Sequence, residues 1–199
     1  MAKVYTYDEE THTHRIGGEV VPGITTCIKP LTSYDAIPPA VLQAACDWGT
    51  AVHKTVELFC KGTLDEDQLD PALIAVLTGF DRWADEVGIL PCDFVVETPM
   101  GDPSLMYAGI PDLILDGKLI VEVKTRPVNM LTDSIQTAAQ EALWKKNGGI
   151  RTKEYERRVL ELKQDGTYVY TKANHRQAWP RFRKLLDHYH DKKLIQSWR

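Results

Sequence analysis

Gly109-Ile110-Pro111-Asp112-Leu113-Ile114-Leu115-Asp116-Gly117-Lys118-Leu119-Ile120-Val121-Glu122-Val123-Lys124 reads as a β-hairpin, and this reading decides the fold. Two apolar runs flank Asp116-Gly117, a strong signal for a tight reversal. Strand side chains alternate, so Val121 and Val123 enter a core while Glu122 and Lys124 project together from the other face. Asp112 opens the first strand, and the hairpin returns it to the side of Glu122. Two carboxylates and an amine at one strand end suit a divalent cation with a cationic helper, the equipment for hydrolysing a phosphodiester.

Convergence of the carboxylates depends on register. A strict two-residue turn pairs Leu115 with Lys118 and Asp112 with Val121, which places Asp112 and Glu122 on opposite faces. A three-residue loop with Gly117 left-handed pairs Leu115 with Leu119 and Asp112 with Glu122. The longer loop is expected, because the shorter one leaves Glu122 between apolar neighbours without a partner.

Upstream, Pro38-Pro39 precedes a helical pattern in which Val41, Ala45, Trp48, Val52, Val56 and Phe59 form an apolar stripe. His53 and Glu57, four residues apart, share a face beside it. The remaining elements are expected as N-terminal strands through 21–28, helices over 39–60 and 71–86, with Gly88 as a stop, and a strand over 93–98 carrying Glu97. Strands over 107–115 and 119–125 follow, then a helix capped by Asp133 and ending at Lys146, strands over 155–163 and 167–170, and a last helix over 176–194. This order gives an α/β fold with a mixed central sheet flanked by helices. One domain over 1–199 is expected, with N-terminal strands and helices over 1–92 and a catalytic core over 93–199.

These motifs resemble the PD-(D/E)XK nuclease superfamily, whose signature is an Asp, a hairpin, then Asp or Glu, any residue, and Lys: here Pro111-Asp112 and Glu122-Val123-Lys124. Gly49-Thr50-Ala51-Val52-His53 with Glu57 resembles the helix motif of its RecB-like branch, which implies His53 as a metal ligand and Glu57 as a supporting residue. The segment Ile135–Trp144 resembles that branch's Q-x-x-x-Y helix, with either Gln136 and Gln140 or Gln140 and Trp144 in the two slots. Tyr5-Thr6-Tyr7-Asp8, His12 to His14, and Val20-Val21-Pro22-Gly23-Ile24-Thr25-Thr26 look like the opening segment of phage and mitochondrial genome-maintenance exonucleases. The resemblance implies a restriction-endonuclease-like PD-(D/E)XK core and a phage-type DNA exonuclease acting in recombination beside a single-strand annealing protein. A structure-selective endonuclease and a non-catalytic DNA-binding module on the same fold are the alternatives.

Asp112, Glu122 and the Val123 carbonyl offer hard oxygen ligands for Mg²⁺ or Mn²⁺, and the resemblance adds His53. Lys124 would orient the attacking water or stabilise developing charge, and Gln136 would hold the water or a ligand by hydrogen bond. Glu57 and Glu97 are candidates to support these ligands. Residues 1–100 hold 6 basic and 16 acidic side chains (−10) and residues 101–199 hold 18 and 12 (+6). The DNA-facing candidates therefore fall in the second half: Lys145, Lys146, Arg151, Lys153, Arg176 and Trp179. Cys27, Cys46, Cys60 and Cys92 lack zinc or iron–sulfur spacing, so free, mostly buried thiols and no iron–sulfur cluster are expected. No apolar run of membrane-spanning length and no signal-peptide pattern is present, so no membrane association and a cytoplasmic location are expected, in a host cytoplasm if phage-encoded.

Overall fold

The longer loop forms. A computed structural model describes residues 3–197, and in it Leu115 pairs with Leu119, Ile114 with Ile120 and Leu113 with Val121. Gly117 turns the chain at φ 69°, and Lys118 donates its N–H to the Leu115 carbonyl at 3.1 Å. Continuing that register by one residue sets Asp112 opposite Glu122.

In chain order the elements are β1 (Tyr5–Asp8), β2 (Thr13–Ile16), β3 (Glu19–Val20), α1 (Ile24–Ile28), α2 (Pro39–Cys60) and α3 (Pro71–Val87). Then come β4 (Val95–Val96), β5 (Met100–Asp102), β6 (Tyr107–Gly109), β7 (Leu113–Leu115), β8 (Leu119–Lys124), α4 (Met130–Lys146), β9 (Glu156–Leu162), β10 (Tyr168–Lys172) and α5 (Ala178–Ser197). The central sheet has the order β10-β9-β8-β7-β4; it is mixed, because β8 and β9 run parallel and the other pairs antiparallel. The parallel pair requires a crossover, and α4 provides it. Strands β1 to β3 form a separate small sheet, and β5 and β6 form a two-stranded one.

Alternation along β8 sorts the core into two layers. Leu119, Val121 and Val123 pack with Val52, Val56, Phe80 and Trp83 of α2 and α3. Ile120, between them, faces the opposite layer with Ile24 of α1, Ile135, Ala139 and Leu143 of α4, and Phe182 of α5. Glu122 and Lys124 share the face of Ile120. Helix α3 starts at Pro71 behind an Asp70 cap, whose side chain accepts from the Ala72 N–H at 2.8 Å, and it ends at Gly88 in the left-handed conformation.

Four expectations are corrected. Residues 24–28 are helical rather than extended, since Ile24, Cys27 and Ile28 recur at helical spacing and bury one side against α4 and α5. The strand expected over 107–115 is two strands in different sheets; Pro111 has no N–H to give a ladder, and the chain switches sheets there. The strand expected over 93–98 shrinks to Val95–Val96, because Glu97 adopts φ 41° and ends it. The first turns of α2 stand clear of the core: Val41 is 58% exposed and Ala45 is exposed, so only the later part of the expected stripe is buried.

The cap of α4 also differs. Asn129 caps it by accepting from the N–H groups of Leu131 and Thr132, while Asp133 is fully buried and bonds the Asn129 N–H at 2.7 Å and Arg126. Two cysteines rather than most are buried, Cys27 and Cys60; Cys46 and Cys92 are exposed. Among the described residues no helix is long and apolar enough to cross a membrane.

Candidate metal centre

Three elements deliver three ligand-bearing side chains to one point. Helix α2 presents His53, the residue after β4 presents Glu97, and the residue before β7 presents Asp112. One ligand atom from each lies within 4.8 Å of the other two. His53 Nδ1 is 3.1 Å from Glu97 Oε1 and 3.5 Å from Asp112 Oδ1. The backbone fixes this meeting, since the Glu97 N–H donates to the Asp112 carbonyl at 3.1 Å and the Val123 N–H donates to Asp112 Oδ2 at 2.7 Å. The left-handed φ of Glu97 is costly for a residue with a Cβ, by about 1–3 kcal/mol, and it is held where a carboxylate is delivered to the cluster.

The charges compensate one another. Asp112 is buried, and burial together with the nearby Glu122 raises its carboxyl well above the ordinary range. Burial would lower the pKa of His53, but Asp112 and Glu97 outweigh it and hold the imidazole up to about 9. A protonated His53 offsets part of the charge of the two carboxylates, a role a divalent cation would take over. An imidazole with two or three carboxylates is a donor set that fits Mn²⁺ or Mg²⁺, the nitrogen favouring Mn²⁺. Val123 and Glu57 line the same crevice, but Glu57 is engaged by Lys54 at 2.8 Å and Lys61 at 2.5 Å.

Glu122 sits beside the trio rather than in it. It is 1% exposed, and its carboxylate accepts from Lys124, from the Gln136 amide at 2.5 Å and from the Gln140 amide at 2.5 Å. A buried carboxylate without such donors would be expensive, and α4 supplies two of the three. Lys124 also donates to Gln136 Oε1 at 3.2 Å. Burial alone would lower the pKa of Lys124, but Glu122 and Asp112 raise it, so the amine stays a cation. Of the two slot assignments for α4, Gln136 with Gln140 is the pair that reaches the site. Trp144 instead donates to Asp116 at 2.9 Å, away from it.

The basic candidates do not converge as a set. Lys145, Arg176 and Trp179 line one cavity of about 510 Å³ with Arg157 and Glu141, whereas Lys146 lies 4.0 Å from Asp102 at another place. Lys145 is paired to Glu141 at 2.6 Å, and Arg151 and Lys153 are exposed in the loop after α4. Arg157 and Arg158 face opposite sides, the first toward Ser134 and His175 carbonyls, the second over the Tyr170 ring.

Two cations beside the site escaped the sequence reading. Lys29 and Arg126 line a cavity of about 340 Å³ together with Lys124 and Gln136. Extending the alternation of Glu122 and Lys124 by two residues would have found Arg126. Compared with known proteins, the chain matches no family model and no curated protein.

Proposed function

We propose that this chain is a divalent-metal-dependent deoxyribonuclease of the PD-(D/E)XK class, RecB-like branch. The carrying observation is the convergence of His53, Glu97 and Asp112 within 4.8 Å, with Glu122 and Lys124 one strand away. His53, Asp112, Glu122 and the Val123 carbonyl would hold Mg²⁺ or Mn²⁺, with Glu97 as a further ligand. The bound ion would polarise a phosphoryl oxygen and lower the pKa of a coordinated water.

The remaining work falls to the chain. Lys124, kept protonated by Glu122 and Asp112, stabilises the negative charge that grows as water attacks phosphorus and the ester oxygen leaves. Gln136 fixes that amine by accepting from it, and Gln136 with Gln140 fixes Glu122. Lys29 and Arg126 offer counter-charge to the backbone on the Lys124 side. The motif order extends the proposal to a phage-type exonuclease that works beside a single-strand annealing protein in recombination.

The test is cleavage of end-labelled linear DNA, single- and double-stranded, beside a closed circle, in Mg²⁺, Mn²⁺ and chelator. The expected result is metal-dependent loss of linear DNA with the circle spared, abolished by Glu122→Ala. Cutting of the circle would make the enzyme an endonuclease. Retained DNA binding without cleavage in either metal would leave a binding module and overturn the nuclease.

A further inference from the structure

Gln136 and Gln140, which hold Glu122, also line a cleft of about 420 Å³ that contains no Lys, Arg, Asp or Glu among its lining residues. One wall is the β1–β2 hairpin, with Tyr7, His12 and His14; the other is α4, with Gln136 and Gln140. The neighbouring cavity is the opposite in character, lined by Lys29, Lys124 and Arg126, and Gln136 borders both. Charge is thus partitioned around one glutamine: a cationic side suited to phosphate and a neutral side suited to something planar and uncharged.

The hairpin wall is a stack of rings. Tyr7 and His14 lie 4.9 Å apart at 29°, and Tyr5 backs His14 at 6.1 Å and 24°. Hydrogen bonds lock the stack, Tyr5 to His14 at 2.9 Å and Tyr7 to His12 at 2.8 Å. His12 holds a left-handed φ of 49° at the hairpin tip. Tyr7 lines the same cleft as Gln136 and Gln140, the two amides that hold Glu122. Across the cleft, Gln140 is 1% exposed and its Oε1 has no hydrogen-bond partner among the described residues. An acceptor is therefore left over for an N–H that a ligand would bring.

We infer that this cleft is a nucleobase site, in which the base of the nucleotide at the metal cluster stacks against Tyr7 and meets the amide of Gln140. The inference rests on the nuclease reading and names how that site takes its substrate. Aromatic stacking holds a base by its π-face without reading its identity, so the site positions any of the four bases. Tyr7 is a binding residue; it fixes where the phosphate falls relative to His53, Glu97 and Asp112.

Two readouts separate this inference from the nuclease reading. In chelator, single-stranded oligothymidylates carrying one 2-aminopurine, at each position in turn, are mixed with the full chain and their fluorescence followed. One position is expected to be quenched severalfold by the wild type and by Tyr7→Phe, which keeps the ring, and not by Tyr7→Leu. With Mn²⁺, a strand with an abasic sugar at the scissile nucleotide is expected to show a KM about tenfold higher than the intact strand, with kcat little changed. In Tyr7→Leu that difference disappears. Unquenched wild-type samples, or equal quenching by Tyr7→Leu, would overturn the base site even if cleavage is robust. Tyr7-dependent quenching without cleavage in any metal would keep the base site and sink the nuclease.

Discussion

The two faces of the central sheet are built to different rules. Toward α2 and α3 the layer is apolar and aromatic, with Phe80, Trp83, Phe94 and Tyr170 in ring contact at 5.3–6.0 Å. Its buried polar side chain on α2, Thr55, is satisfied within the helix by the Ala51 carbonyl at 2.9 Å. Toward α4 the layer is laced with polar groups: Thr132, Asp133, Ser134, Gln136, Thr137 and Gln140 are all buried on one helix. Buried polar groups add little net stability even when satisfied. Their concentration beside Glu122 makes sense as a scaffold for charge. Both faces bury apolar side chains, and the α4 face in addition holds a carboxylate and an amine in place.

That contrast can be broken most forcefully on each side by one substitution. Asp112→Asn is expected to reduce cleavage by about a hundred- to a thousandfold, on the order of a lost electrostatic catalytic group, while thermal unfolding shows Tm little changed, since relief of the like-charge contact with Glu122 offsets the lost pairing with His53. Trp83→Ala should do the converse. It opens a cavity costing about 3–5 kcal/mol in denaturant unfolding, with near-normal turnover per folded molecule. A Trp83 variant that was stable but inactive would erase the distinction between the faces.

Weaker effects sharpen it. Gln140→Leu removes one donor from Glu122 and should lower metal-dependent cleavage about 10- to 100-fold, the usual range for losing a partner that orients a ligand. His53 supplies a pH signature. Its pKa is raised from 6.5 to about 9, so the stability its protonated form contributes is fully present below about pH 6.5 and is lost as pH rises through about 9. In chelator, the Tm gap between wild type and His53→Gln should narrow across that window. With Mn²⁺ present the stabilisation should instead grow with pH, because the ion competes with the proton. Smallest of all, Arg176→Ala should weaken DNA binding evenly across sequences and reduce the salt slope by about one phosphate contact.

Much of the frame was legible because local signals agreed. Pro38-Pro39 and the later half of the apolar stripe fixed α2 at Pro39–Cys60, and Gly88 fixed the end of α3. The hairpin register followed from asking what partner a buried Glu122 could have. Other features were set by tertiary contacts that override local preference. Ile24-Thr25-Thr26 carries β-propensity, yet burial of Ile24, Cys27 and Ile28 against α4 makes it a helix. The place of Glu97 in the cluster comes from a left-handed backbone tied to Asp112, and no residue pattern announces that. Gln140 stood among the candidate residues, but its bond to Glu122 depends on how α4 crosses the sheet.

The most direct test of the account is Mn²⁺ titration of the purified chain, by calorimetry or electron paramagnetic resonance, in wild type and in His53→Gln, Glu97→Gln, Asp112→Asn and Glu57→Gln. The account predicts binding by the wild type and by Glu57→Gln, whose carboxylate is already held by Lys54 and Lys61, and loss of that binding in the other three. Equal binding by all five proteins, or by none, would contradict a metal centre at His53, Glu97 and Asp112.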